Sequence, residues 1–461
     1  MTLFPPAFSD RSATIETAAA ALKAGLVTAR QLAEAALARI DDPEGEGARV
    51  HVRRNDQRAR KLAEASDAVR AAGHVRSALE GLPISVKDLF DLAGETTLAG
   101  SVALKDQPPA ATDAPVVQRL VAAGAVITGT TNMSEFAFSG IGINPHYGTP
   151  KNHFDRATGR VPGGSSSGAA VSVTDGMAIA AIGTDTGGSI RIPSALCGLT
   201  GFKPTARRVP TAGVVPLSTS LDSIGPLARS VTCCALIDAV ISGEGQGVPA
   251  ALPIRGLRLA VPQTVVLDAM DATVSAVFAR TLSRLSAAGA ILSEIAVPEF
   301  SEVAGIYGRG GLVAPEAYFW HRDLLQKAGD TYDPRVKTRI LRGRDLSAAD
   351  YLDALSARAD WQARTMHRLG GYDAVILPTV PVIAPEIAPL LADDAAFFAA
   401  NGLVLRNSTL FNFLDGCGLS LPCHAPGEAP VGLMVAGLPM QDRSILAAGL
   451  AIEAVLAGQA G

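Results

Sequence analysis

Two glycine–serine segments constrain this chain more than any other part of it: Val-Pro-Gly-Gly-Ser-Ser-Ser-Gly at 161–168 and Gly-Thr-Asp-Thr-Gly-Gly-Ser-Ile-Arg-Ile-Pro at 183–193. Between them lies one short, almost wholly apolar segment. Glycine lets the backbone adopt φ > 0 and lets another group approach closely, so both segments read as tight loops. Successive N–H groups exposed in such a turn form a concave anion site. A serine at the end of that site is placed to attack a carbonyl whose oxygen the N–H groups then hold. The rest of the chain has to supply a base.

Composition narrows the class. With 461 residues, 48% hydrophobic and only 18% charged, the chain can bury a large core and is not of disordered type. A formal charge of −4 gives no basic footprint for nucleic acid, and no lysine- or arginine-rich run suggests a membrane surface. The apolar runs are short, Asp175 and Gly176 breaking the longest, whereas a spanning helix needs about 20 apolar residues. The opening Met-Thr-Leu-Phe-Pro-Pro lacks the basic and apolar regions of a secretory leader. Five cysteines (Cys197, Cys233, Cys234, Cys417, Cys423), with no C-x-x-C, fit free thiols in a reducing compartment. A cytoplasmic protein is the expectation.

Periodicity predicts alternating helices and strands. Residues 12–41 read as a helical hairpin, with Gly25 ending the first helix and Thr28 capping the second, and 54–72 as a charged helix. Leu82, Ile84 and Val86 alternate as in a strand; a helix capped by Asp113 and a short strand at 125–129 follow. Residues 196–230, with four prolines, read as loops. Further on come a helix at 231–241, a strand–helix–strand unit at 257–297 and a helical, charge-rich region at 300–370, with 348–369 its clearest helix. Strands at 372–378 and 418–422 and a closing helix at 442–456 complete the pattern. This order predicts an α/β architecture, a mixed sheet covered by helices in one large domain.

A serine nucleophile needs a partner to take its proton. The histidines (His51, His74, His146, His153, His321, His367, His424) all lie outside Gly- or Ser-rich turns, and the sequence gives no reason to choose one. Lys87 follows three alternating apolar residues at the end of a predicted internal strand, where burial would favour its neutral form. The competing reading is an edge-strand lysine pointing to water.

The ordered motifs Gly81-Leu-Pro-Ile-Ser-Val-Lys-Asp, Gly129-Thr-Thr-Asn-Met-Ser-Glu-Phe, Pro162-Gly-Gly-Ser-Ser-Ser-Gly, Gly183-Thr-Asp-Thr-Gly-Gly-Ser-Ile-Arg-Ile-Pro, Gly201-Phe-Lys-Pro-Thr and Asp222-Ser-Ile-Gly-Pro-Leu-Ala-Arg resemble those of the amidase signature enzymes. The resemblance runs from about residue 13 through nearly the whole chain. It implies one amidase signature domain over 1–461, with N-terminal helices at 12–72, a catalytic core at 80–240 and a variable helical substrate-pocket region at 300–370. It further implies a Ser–Ser–Lys triad: Ser189 as nucleophile, Ser165 as bridging serine on a cis peptide bond, Lys87 as base. The N–H groups of Thr186, Gly187, Gly188 and Ser189 would form the oxyanion hole, and Ser166 would support the triad through a hydrogen bond. Asp185 and Arg191 read as a structural ion pair, the alternative being Arg191 on an acidic substrate. Met133, Phe136, Phe138 and Tyr147 are candidates for an apolar pocket, with core packing an equal account of the aromatics.

The implied activity is hydrolysis of a small-molecule amide, anilide, carbamate or urea-like C–N bond through an acyl-enzyme. No cofactor or metal is implied, ester or carbamate side activity is allowed, and a homodimer remains open. The glutaminase subunit of the tRNA-dependent amidotransferase is the alternative within the family. Two departures count against it: 405–413 lacks an acidic residue, and Thr130 follows Gly129 where Gly-Lys is more common. A malonamate- or allophanate-type substrate would need a guanidinium, for which Arg207, Arg208 and Arg406 are candidates, with surface positions an equal account of each. Gly164-Ser-Ser-Ser-Gly168 also matches the G-x-S-x-G elbow of α/β-hydrolase esterases with Ser166 as nucleophile, but a polar loop precedes it where that elbow needs a strand. Gly183–Ser189 lacks the lysine of a phosphate loop. Cys197 in Ala-Leu-Cys-Gly-Leu reads as packing rather than as a thiol nucleophile.

Overall fold

Strand β2 (Pro83–Lys87) forms where Leu82, Ile84 and Val86 alternate, and all five of its residues are buried. A strand covered on both faces and both edges belongs at the inside of a sheet. β2 runs parallel to β3 (Val126–Thr131) on one side and to β4 (Ala180–Asp185) on the other. The structure, a computed structural model, describes residues 12–308 and 311–458. The opening segment 1–6 and a short piece of the 300–370 region lie outside the described residues.

The remaining strands are β1 (His51–Arg54), β5 (Thr200–Lys203), β6 (Ser223–Ala228), β7 (Arg258–Pro262), β8 (Ile291–Ile295), β9 (Ala374–Pro378), β10 (Cys417–Pro422) and β11 (Gly432–Gly437). Together the described strands make one eleven-stranded sheet in the order β1-β3-β2-β4-β6-β5-β10-β11-β9-β7-β8. The pairings from β4 to β9 are antiparallel, while β3-β2-β4 and β9-β7-β8 are parallel, so the sheet is mixed. Helices flank it. A continuous apolar core joins Ile15 and Leu32 of the N-terminal hairpin to Ile84, Ile182, Leu259, Ile376, Leu433 and Val455. The α/β single-domain expectation holds. No helix among the described residues is long and apolar enough to cross a membrane.

Local signals account for most elements. Thr14 and Thr28 each close a capping box at the start of the hairpin helices Ile15–Lys23 and Ala29–Ile40, and Ser347 does so for Ala348–Leu369. The closing helix spans Asp442–Leu456. Asp113 is not a cap: the helix starts at Pro115, and the Asp113 carboxylate instead holds Arg58 and the Ala93 N–H. A proline in the first turn already spares one N–H, which weakens the need for a side-chain cap.

The larger difference is at 196–230, which holds two internal strands, β5 and β6, rather than loops alone. Gly225 and Pro226 disguise β6, because both residues normally argue against an internal strand. The glycine has a packing reason. A Cβ at Gly225 would lie 2.1 Å from the Phe202 carbonyl oxygen of β5, so no larger residue lets the two strands close up. The Asp394–Phe413 helix and strands β1, β4 and β11 are further elements that the periodicity does not reveal.

Gly225→Ala is expected to lower the apparent melting temperature and reduce soluble yield, since overpacking typically costs about 1–3 kcal/mol or more. Unchanged thermal unfolding would show that β5 and β6 can separate without loss.

Candidate active site

The parallel pair β2/β4 aligns Val86 with Ile182, so Lys87 comes out beside the end of β4, at the carboxyl ends of both strands. Lys87 is fully buried, and its Nζ lies 2.6 Å from Ser165 Oγ and 2.8 Å from Thr184 Oγ1. Burial pushes the ammonium down to about 7, against the opposing pull of Asp222 and Asp185. Near neutral pH a substantial fraction of Lys87 is therefore an uncharged amine. The edge-strand alternative is excluded by this burial.

Ser165 sits where the chain turns from loop to helix, after a cis Gly164–Ser165 peptide. The helix Ser167–Thr174 follows and packs on β2, with Ser172 Oγ 2.8 Å from Ser85 Oγ. Close approach is enforced by Gly183: a Cβ there would meet Ser166 Oγ at 2.7 Å. Ser166 donates its hydroxyl to the Thr184 carbonyl and its N–H to the Ser189 carbonyl. Its hydrogen bonds thus reach the backbone at Thr184 and Ser189 rather than the Ser165 or Ser189 hydroxyl. It is fully buried and does not border the cavity described below, which leaves it unsuited to an elbow nucleophile.

Asp185 shapes the loop after β4. Its carboxylate accepts from the N–H groups of Gly188 (2.8 Å), Ile190 (3.2 Å) and Arg191 (3.3 Å) and from the Arg191 guanidinium at 2.9 and 3.0 Å. Asn412 adds its amide at 2.9 Å. Burial alone would raise the carboxyl, but the Arg191 guanidinium, helped by Lys203 and Asn412, holds it well below the usual carboxylate range. Both partners of this ion pair are wholly buried, which leaves Arg191 closed to substrate. The Gly188 N–H is thereby committed to Asp185 and is not free for an oxyanion. The N–H groups of Thr186, Gly187 and Ser189 have no acceptor among the described residues.

Gly188 has φ +129°, and a Cβ there would sit 2.1 Å from Ser408 Oγ. Ser408 and Thr409 both donate to the Gly187 carbonyl, pinning the loop to the Asp394–Phe413 helix. On the other flank, Thr186 Oγ1 donates to Asp222, which also accepts from the N–H groups of Leu217 and Ser218. Thr184, Asp222, Ser408 and Asn412 are site residues that the sequence does not single out. Thr184 and Asp222 lie inside family-like motifs, but nothing in a sequence tells which motif residues touch.

A cavity of about 490 Å³ opens in front of Ser189. Thr186, Gly187 and Ser189 line one side, and Phe138, Leu217, Tyr307, Val313 and Leu405 much of the remainder. Of the four pocket candidates only Phe138 borders it. Met133 is wholly buried in the core. Phe136 stacks edge-on against His321, centroids 4.4 Å apart, and near Tyr332. Tyr147 directs its hydroxyl to the Ser101 carbonyl. Proximity in sequence suggests a shared pocket for these aromatics, whereas the turn at Phe136 and Ala137, both at positive φ, sends neighbouring side chains to different places. No histidine is hydrogen-bonded to Lys87, Ser165 or Ser189 among the described residues. Cys197 is buried, donates to the Pro162 carbonyl, and burial pushes its thiol far up.

The family model described as Amidase matches residues 31–446. The chain belongs to the amidase family. Among its relatives, a 2-amino-5-chloromuconic acid deaminase of Comamonas testosteroni is 36% identical over 403 residues, covering 87% of each chain. A glutamyl-tRNA(Gln) amidotransferase subunit of Chloroflexus aggregans is 34% identical, covering 96% of each. A crystal structure of an amidase superposes with TM-score 0.86 at 33% identity, over 97% of this chain and all of the other. Amide C–N cleavage is the chemistry these comparisons support.

The arginines considered for an acidic substrate lie elsewhere in this amidase-family chain. Arg207 pairs with Asp415, Arg208 with Asp238, Glu244 and Asp442, and Arg406 bonds to Asn407 and the Val266 carbonyl. None borders the cavity.

Asp185→Asn removes the charge that neutralises Arg191. It is expected to destabilise the protein by about 3–5 kcal/mol, as for other broken buried pairs, and to lower the apparent melting temperature. An unchanged unfolding profile would mean that the Asp394–Phe413 helix, not Asp185, anchors the loop.

Proposed function

We propose that the protein is a stand-alone amide hydrolase in which Ser189 is the nucleophile, Ser165 the proton relay and Lys87 the base. The observation that carries this reading is a buried lysine, poised near neutrality, 2.6 Å from the hydroxyl of Ser165, in a site whose cavity is bordered by Ser189. Ser189 Oγ attacks the amide carbon as its proton moves to Ser165 Oγ and the Ser165 proton moves to Lys87 Nζ. The developing oxyanion accepts hydrogen bonds from the N–H groups of Thr186, Gly187 and Ser189, each worth about 3–4 kcal/mol in the transition state. Lys87 returns the proton through Ser165 to the leaving nitrogen, and ammonia or an amine departs. Water then attacks the acyl-Ser189 carbonyl by the same relay, releasing the acid and restoring the hydroxyl. Every step uses these side chains and water.

The same acyl-enzyme serves esters and carbamates, which are therefore expected as side substrates. The relative named for deaminating a muconic acid supports release of nitrogen from a small organic acid. A second reading, a partner-dependent glutaminase, is favoured by the amidotransferase relatives. Against it stands a cavity bordered by no carboxylate among the described residues, so the amine of glutamine would find no counter-charge.

Purified protein should hydrolyse members of a panel of primary amides, anilides, carbamates and esters, and Ser189→Ala should fall to background on all of them. Lys87→Ala should lose at least about 10²–10⁴-fold in kcat/KM. Equal rates for wild type and Ser189→Ala would remove the nucleophile assignment, and activity appearing only with a partner chain would favour the glutaminase.

The working form of Lys87 is the uncharged amine. Because burial lowers its ionisation to about 7, kcat/KM should rise with pH through that value and level off above it. A profile flat between pH 6 and 9 would contradict the lysine base.

A further inference from the structure

The charges of two carboxylates, Asp222 and Asp185, reach Lys87, and the two are held in different ways. Asp185 is neutralised by the Arg191 guanidinium. Asp222 is held by neutral donors, the Thr186 hydroxyl at 2.5 Å and the N–H groups of Leu217 and Ser218 at 3.0 and 3.1 Å. We propose that Asp222 is the counter-charge for the ammonium that forms when Lys87 takes the nucleophile's proton, and that the same carboxylate fixes the Thr186 end of the oxyanion loop. This makes Asp222 a positioning residue, and it rests on the reading of Ser189 as nucleophile and Lys87 as base.

The sheet puts the carboxylate where it can act. β6 runs antiparallel to β4 with Ser223 opposite Asp185 and Ile224 opposite Thr184, so Asp222 arrives beside Thr186. Asp222, Thr184 and Thr186 border one inner cavity of about 170 Å³, and Thr184 Oγ1 lies 2.8 Å from Lys87 Nζ. The near neighbours of that Nζ are the hydroxyls of Ser165 and Thr184, so Asp222 acts on it through its charge and does not receive the proton. Inside a protein such a charge is felt more strongly than across water.

The surrounding groups leave this charge uncompensated. Burial pushes the Asp222 carboxyl up to about 6, against its three donors, and Glu316 on the helix Val313–Ala328 adds to the rise. Above that value Asp222 is an anion. Glu316 is itself occupied by the hydroxyls of Ser218, Ser220 and Tyr351 and by the Ser220 N–H, which clamps the 218–220 loop from its other side. Arg358 donates to the carbonyls of Ser220, Asn412 and Phe413 rather than to either carboxylate. Protonated Lys87 is therefore the cation that the charge of Asp222 meets.

The charge balance of the first step gives the anion its use. As Ser189 Oγ bonds to the amide carbon, its proton passes to Ser165 Oγ, the Ser165 proton passes to Lys87 Nζ, and the carbonyl electron pair moves to oxygen. A neutral set of groups thereby becomes an ammonium at Lys87 and an oxyanion at the 186–189 loop. A fixed negative charge near Lys87 stabilises the ammonium. The grip on Thr186 Oγ1 holds one end of the loop, while Ser408 and Thr409 hold its middle through the Gly187 carbonyl. Removing the charge makes the ammonium less stable, so the ionisation of Lys87 falls below about 7 and the amine becomes a weaker base.

The test measures kcat and KM between about pH 5 and 9, on the best amide substrate of the wild type, for Asp222→Asn, Asp222→Ser, Asp222→Glu and Thr186→Val. Both neutral variants should lose about 10–100-fold in plateau kcat with KM changed less than about threefold, and their acid limb should move down by about half a unit or more. If one of them fails to fold, the other carries the comparison. Asp222→Glu should bring the limb back towards its wild-type position, and Thr186→Val, which keeps the anion, should lower the plateau without moving the limb. A limb that stays in place in the neutral variants, a limb displaced as far by Thr186→Val, or a change in KM alone would overturn the proposal. A second arm needs no turnover: the ionisation of Lys87 is followed by the Cε chemical shift in carbon-13 lysine-labelled protein, assigned with Lys87→Ala. A lower midpoint in a neutral Asp222 variant than in wild type supports the counter-charge even if no amide is hydrolysed, in which case only the hydrolase reading fails. The same midpoint in both overturns the counter-charge while leaving the hydrolase reading to its own assay.

Discussion

The buried charge of Asp185 is the constraint on which the rest of the site depends. One carboxylate gathers three backbone N–H groups, the Arg191 guanidinium and the Asn412 amide. In doing so it ties the end of β4 to the loop that follows, to the helix Arg191–Leu196 and to the helix Asp394–Phe413. Its ionised form is held in an apolar interior only because Arg191 neutralises it and the hydrogen bonds satisfy its oxygens. By taking the Gly188 N–H it also decides which amides of the loop are left without an acceptor. Thr186, Gly187 and Ser189 border the cavity, and Gly188 does not.

Lys87 shows the opposite electrostatic solution. It is buried as deeply as Asp185, but its two near neighbours, Ser165 and Thr184, are neutral hydroxyls. With no carboxylate in contact, desolvation wins and the ammonium loses its proton near neutrality. Two ionisable groups on adjacent parallel strands are thus driven apart by their surroundings, one fixed as a structural anion and one freed to exchange a proton. Asp222 stands between these cases. It holds Thr186 and the 217–218 backbone and acts on Lys87 only at a distance.

The supporting shell comes from distant parts of the chain. Ser408, Thr409 and Asn412 lie more than 200 residues after the loop they hold, and the helical region beyond residue 300 supplies much of the cavity wall. Within one apolar cavity this brings a polar, amide-rich end at Ser189 against a cationic end at Arg339 and Arg342. The sequence alone points to Arg207, Arg208 and Arg406 as candidate substrate-binding guanidinium groups. Each of those is occupied by a carboxylate, an amide or a carbonyl, and an occupied guanidinium has little left to offer a ligand.

The glycine–serine segments and the strand leading to Lys87 were legible because local sterics write them into sequence. Gly183 and Gly188 stand where a Cβ would strike Ser166 and Ser408, and the alternation through Val86 fixes an internal strand. Capping boxes at Thr14, Thr28 and Ser347 set helix starts in the same local way. By itself, then, the sequence determined the α/β class, most element positions and the three segments, at Lys87, 161–168 and 183–193, that the fold brings together. Tertiary structure decided what those residues face. Strand β6 forms despite Gly225 and Pro226 because β4 and β5 close on it from both sides, a non-local contact that outweighs propensity. Phe136 turns into the core while Phe138 borders the cavity, and Arg339 is left without a partner while Arg335, four residues earlier, has one. Burial and partnering depend on residues hundreds of positions away, so only the folded chain could settle them.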